Sequence, residues 1–207
     1  MIKVVAKTFA LLELRYLNQI SRNKGYVLGP MAQSVFARNH YRENLIRAAA
    51  PMVAQCADAT GESVVLAVMQ GVRRYVLLHE NRNPAMNIDV SALYYDDLYL
   101  TATGRILLAY APPAQLAAVV KRLGAPWKSN WALAAQPAGL KRELALIRQA
   151  GYVAFQSSQT HLCIMSAPVL EQGECIAALG LSFPQSAYSN AKHAKALAAV
   201  RTAAAAI

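Results

Sequence analysis

The chain has 207 residues, 56% apolar and 15% charged, a balance that excludes a disordered segment and supports a packed core. Ten glycines exclude a collagen-like chain, and no heptad pattern persists to suggest a coiled coil. The net charge of +10 is uneven: residues 1–50 carry eight basic and two acidic side chains, so nucleic acid is the first candidate partner for that end, with solvated helix faces as the alternative.

In chain order, residues 2–20 place Val4, Val5, Thr8, Phe9, Leu12 and Tyr16 at the spacing of one helix face, so an amphipathic helix is expected there. Lys7 and Glu13 interrupt its apolar run and no small-residue cleavage site follows, so it does not read as a signal peptide. Arg22-Asn23-Lys24-Gly25 is a turn, and GYVLGP is a short extended piece. Residues 31–60 are expected to be helical with a break near Asn39, the second half ending at Thr60-Gly61.

Beyond Gly61 the pattern becomes β-rich. SVVLAVMQG and VRRYVLLHE read as a hairpin around Gln70-Gly71, and 81–92 as a loop. YYDDLYLTATG reads as an extended run. Two helices follow, separated by Pro112-Pro113, then an irregular loop at 124–138 with Trp127 and Trp131, which could cover a pocket mouth or fix the loop to the core. GLKRELALIRQAG is a helix stopped by Gly151; GYVAFQ, THLCIMSAPVL and ECIAALGLSF are strands; the tail from Ala187 is an alanine-rich helix. Strands grouped around helices without regular alternation indicate an α+β fold with a mainly antiparallel sheet. The longest uncharged stretch, 149–170, contains Gln, Ser, His, Gly and Pro and is not a membrane span. Cys56, Cys163 and Cys175 show no C-x-x-C spacing and imply no disulfide framework, and a cytoplasmic protein is expected.

Five segments taken together resemble the effector-binding domain of the IclR family of bacterial transcription regulators. They are GYVLGP, ATGESVVLAVMQGVRRYVLL, LTATGRILLAYAPPAQLAAVV, LKRELALIRQAGYV and IMSAPVLEQGECIAALGLSFP, in that order. The resemblance implies a GAF/profilin-like antiparallel sheet flanked by helices and preceded by N-terminal helices, with a pocket for a small, usually acidic metabolite. It implies a remnant of a winged helix-turn-helix domain over 1–40, a linker helix over 41–60 and the effector-binding domain over 61–207. Helix 2–20 resembles the family's first helix and GYVLG the last strand of the wing. Further helices and a wing hairpin do not fit between Ile20 and Gly25, so the recognition helix is expected to be missing and DNA contact to be weakened to phosphates.

The segment Leu98–Arg105 reads as a strand entering a helix, with Thr101 or Thr103 as N-cap. The first amides of such a helix lack internal partners and suit a carboxylate, although a plain capped helix has the same sequence. The resemblance places effector-binding amides at Ala102 and Thr103. Ser157, Ser166 and Ser182 are candidate hydrogen-bonding groups, and Leu98, Leu100, Phe155 and Ile164 candidate walls. Ile164 occupies a position where the family often has Cys, with Cys163 facing the other side of the strand. Gln156, Ser157 and Ser158 stand where an acidic residue is frequent, so a more neutral pocket is expected.

His161 and Cys163 lie two apart on an expected strand, too few ligands for structural zinc, and His40, His79 and His193 have no partner at useful spacing. Asp96 and Asp97, adjacent in an expected strand, diverge. No catalytic motif is present, so no catalytic or metal residues and no cofactor are assigned. The reading is a non-enzymatic IclR-type transcription regulator. Its partners are a small organic acid effector, a second copy in a dimer or tetramer, and DNA weakly, with no membrane. The alternative is a metabolite-sensing, oligomerising protein without operator binding.

Overall fold

The computed structural model describes the backbone of residues 2–7 and all atoms of 8–21, 24–32, 42–86, 94–127, 131–136 and 138–207. The chain forms two compact units, Met1–Asn44 and Leu45–Ile207.

In the smaller unit, helix α1 spans Ile2–Glu13, and strands β1 (Leu17–Ser21) and β2 (Gly25–Leu28) form an antiparallel hairpin. The expected helix over 2–20 is therefore too long. Tyr16 N donates to the Leu11 carbonyl at 2.9 Å and Arg15 N to Leu12 at 3.0 Å, the paired bonds of a Schellman end, with Arg15 left-handed at φ 59°. This stop frees Leu17–Ser21 to pair with the GYVL strand, so a hairpin does fit before Gly29. Gly29 N donates to the Tyr16 carbonyl, and a Cβ at Gly29 would lie 2.3 Å from the Arg15 carbonyl oxygen, so only glycine permits this approach. Of the expected apolar face, Phe9 is exposed, and Val4 and Val5 have side chains outside the described residues. So do the expected break at Asn39 and His40.

The larger unit is built on a five-stranded antiparallel sheet. Its strands are β3 (Ser63–Gln70), β4 (Arg73–Asn81), β5 (Val153–Ser157), β6 (Leu162–Glu171) and β7 (Glu174–Pro184), in the order β4-β3-β7-β6-β5. The α+β class and antiparallel sheet read from sequence are thus present. Because side chains alternate along each strand, the sheet has two faces. One buries Leu66, Cys163, Leu179 and Phe183 against helices α2 (Glu43–Thr60) and α6 (Asn190–Ala206). The 43–60 helix contributes Leu45, Ala49, Val53, Cys56 and Ala57 to this core. Glu62, buried at the start of β3, ties α6 to the sheet by accepting from Lys192 Nζ at 2.5 Å and Asn83 Nδ2 at 2.6 Å.

The opposite face carries α3 (Ala102–Tyr110), followed by α4 (Pro113–Leu123) and α5 (Gly139–Ala150). Here Ala67, Leu98, Ile106, Trp131, Leu144 and Ala178 form a second core. The run ahead of α3 is a turn and not the expected strand. Leu100 N and Thr101 N both donate to the Asp97 carbonyl, and only Tyr95 makes a bridge, to Arg74. No helix among the described residues is long and apolar enough to cross a membrane.

Candidate effector site

A cavity of about 290 Å³ opens where the N-terminus of α3 meets β3, β4, β6 and β7. Thr101 is the N-cap, extended at φ −109° and ψ 149°, and its Oγ1 accepts from Gly104 N at 3.1 Å. Arg105 N donates to the Thr101 carbonyl at 3.0 Å. The amides of Ala102 and Thr103 are thus left without an acceptor inside the helix, at its electropositive end and on the cavity wall. Close packing sets their position. A Cβ at Gly180 would meet Thr103 Cγ2 at 2.6 Å, so the bare β7 backbone is what lets the first turn rest on the sheet.

Leu100, Ser157, Ile164 and Ser182, all expected at the site, line the same cavity. Ile164 and Ser182 are cross-strand partners, and Cys163 lies buried on the other side of the sheet, as alternation requires. Three expected residues lie elsewhere. Leu98 is fully buried in the second core. Ser166 is buried and donates to the Leu179 carbonyl at 2.7 Å, so its hydroxyl serves the sheet. Phe155 stacks against the Arg105 guanidinium, 3.6 Å from its ring centre, beside a neighbouring cavity of about 550 Å³.

Sequence reading missed the charged pair in the wall. Arg74 on β4 is buried, and its Nε and Nη2 donate to Asp97 Oδ1 and Oδ2 at 2.8 and 2.5 Å. The Arg74 and Tyr95 backbones exchange two hydrogen bonds, and the guanidinium lies over the Tyr95 ring at 4.7 Å. This bidentate clamp fixes the 95–101 turn and so aims the α3 N-terminus. The available signal was an arginine inside an apolar strand. Adjacent Asp96 does diverge, pairing instead with Arg73 and Arg122 on the surface, and these cations hold its carboxyl below the usual range. The lining charges of Arg74 and Asp97 cancel, in keeping with a neutral pocket.

Arg105 is a second buried cation. Its Nε donates to the Tyr99 carbonyl at 3.0 Å, and its guanidinium lies between Phe155 and Trp131, the latter ring centre 4.3 Å away. Burial lowers its pKa to about 10, with Glu143 opposing the shift, so it stays charged at neutral pH. Trp131 fixes its loop to the core, whereas Trp127 is 70% exposed. His161 does not share a strand with Cys163. It sits in the turn before β6 at φ 54°, where its N–H donates to the Ser157 carbonyl. Among the described residues no group of three or more His, Cys, Asp or Glu could hold a metal ion. Burial pushes the Cys56 and Cys175 thiols up to about 11, so neither is a ready nucleophile.

Comparison with known proteins places this geometry. Over 177 residues the chain is 25% identical to the HTH-type transcriptional regulator BhcR of Paracoccus denitrificans, covering 83% of this chain and 62% of that protein. The chain thus spans about three-fifths of the length of that curated relative. Among solved structures, an IclR transcriptional regulator of Silicibacter sp. TM1040 superposes with TM-score 0.78 at 22% identity, over 97% of this chain and 80% of that one. An IclR homolog of Microbacterium hydrocarbonoxydans, solved with 4-hydroxybenzoate, gives TM-score 0.72 at 20% identity, over 97% and 84%. Thermotoga maritima IclR gives 0.70 at 21%, over 97% and 81%. At these identities the structural likeness shows the fold. The family and these neighbours are transcriptional regulators and not enzymes. Residues 39–207 match the family described as bacterial transcriptional regulator IclR C-terminal, and the chain belongs to it.

Proposed function

We propose that the chain senses a small carboxylate-bearing metabolite in the cavity over the α3 N-terminus and regulates transcription in response, as a dimer or tetramer. The observation that carries this reading is the pair of wall amides, Ala102 and Thr103, left open by the Thr101 cap. The helix dipole contributes about 0.3–1 kcal/mol to an anion there, and each charge-assisted amide bond about 1.5–3 kcal/mol. Micromolar affinity, about −8 kcal/mol, then needs apolar contact, which Leu100 and Ile164 supply. The 4-hydroxybenzoate bound by the Microbacterium homolog is an acid of this class. In the smaller unit, a helix leading into an antiparallel hairpin supports DNA contact over the alternative of a sensor without it.

Ala102→Pro tests the reading. Proline removes one of the two donors at the first helical position, where it is best tolerated, and extended Thr101 already has the conformation that precedes proline. Calorimetry with a panel of small carboxylates should show at least one that binds, with affinity reduced about tenfold or more in the variant. In a gel shift with DNA from upstream of its own gene, that acid should change the retarded fraction for the parent chain and not for Ala102→Pro. Unchanged affinity in a folded variant would remove the anion site from consideration.

A further inference from the structure

The effector cavity and the larger cavity beside Arg105 share three wall residues, Leu100, Ser157 and Gln159. They are two lobes on either side of one partition. Part of that partition is fixed: the Ser157 carbonyl accepts from His161 N and Gln185 Nε2, and its Oγ accepts from Thr160 N. Leu100 differs in its side chain: the backbone is held in the 95–101 turn by its bond to the Asp97 carbonyl, but the residue is 38% exposed and its apolar side chain is free of polar bonds. Beyond it the second lobe offers Trp131, Ile147, Leu133 and Leu146, the last two 58% and 52% exposed. Apolar side chains left in solvent along a cavity wall favour an apolar occupant.

The open amides decide which lobe takes the acid. Each lobe has one arginine and one carboxylate on its wall, Arg74 with Asp97 in the first and Arg105 with Glu143 in the second, so net charge does not separate them. The Arg105 guanidinium is stacked on two aromatic rings and bonded to the Tyr99 carbonyl, whereas the first lobe also offers the amides of Ala102 and Thr103. The anion therefore belongs to the first lobe and the tail to the second.

Resting on the acid reading given above, we propose that the effector is a monocarboxylate with an extended apolar tail. The tail crosses the partition at Leu100 into the lobe lined by Trp131, and Leu100 sets the chain length accepted.

Trp127→Phe makes the test direct, because it removes the exposed member of the chain's two tryptophans and leaves Trp131 as the only indole. Butanoate and octanoate are the probes. Both should bind by calorimetry. Octanoate should bind more tightly, approaching about fourfold per added methylene that is fully buried, and only octanoate should shift Trp131 emission. Leu100→Trp, read by calorimetry alone, should abolish the preference for octanoate over butanoate, and a preference retained in full would overturn the role of Leu100. If both acids bind equally and Trp131 emission is unmoved by either, this inference fails and the anion site stands. If neither acid binds, the acid reading fails and takes this inference with it.

Discussion

The two faces of the central sheet are made from the same strands and do opposite work. Under α2 and α6 the contacts are apolar apart from the Glu62–Lys192 pair: Val53, Leu66, Leu179 and Phe183 are fully buried. Under α3 the same strands meet Arg74, Thr103, Arg105 and Ser166, all buried, and the cavities of about 550 and 290 Å³ open there. Buried polar groups need partners, and on the α3 side Asp97 and the Tyr99 and Leu179 carbonyls supply them. The face that buries more polar groups is the one on which these two cavities lie.

The largest effect should separate the two faces most cleanly. Leu66→Ala, on the α2 side, should lower unfolding stability by about 3 kcal/mol in chemical denaturation and leave acid affinity unchanged below the transition. A comparable loss of affinity would mean that the faces are coupled. Thr101→Ala acts on the open face. Losing the cap to Gly104 N should cost about 1 kcal/mol and fray the first turn, so acid affinity should fall several-fold with only a small change in stability. The smallest effect lies on β4, at the sheet edge. His79 accepts or donates at Nε2 to Ser63 Oγ over 3.0 Å, and burial lowers its pKa below the ordinary 6.5, with Glu80 opposing. A lowered pKa means that the unfolded chain takes up the proton first. This contribution is therefore complete above about pH 6.5 and is lost as pH falls through the folded value. Stability measured from pH 7.5 down to 5.5 should decline less steeply in His79→Gln than in the parent chain.

The elements of the larger unit were legible because their signals are local. Gly61, Gly71 and Gly151 each adopt the positive φ that stops a helix or turns a hairpin, and alternation put Ile164 and Cys163 on opposite faces. The helix α1 was read too long for the same reason in reverse. Its Schellman stop falls on Arg15 and not on glycine, so nothing in the sequence marked it. At the site, residues adjacent to the helix start were found, since a cap and its amides are neighbours in sequence. The Arg74–Asp97 clamp spans 23 residues, and no spacing rule joins a strand arginine to an aspartate in a later turn. Phe155 and Ser166 had suitable chemistry and the correct strands. Their roles were decided by groups distant in sequence: the Arg105 guanidinium over one, and the Leu179 carbonyl of the neighbouring strand within reach of the other.

The Tyr95–Arg74 bridge has a second consequence. β4 is a border strand of the sheet, and an uncovered border is a template on which another chain can add a strand. At Arg74 both backbone groups are already occupied by Tyr95, and the clamp to Asp97 keeps that covering segment in place. The residues that aim the helix therefore also close this position of the border to an added strand. Variants that loosen the clamp should self-associate more readily than the parent chain, as read by light scattering.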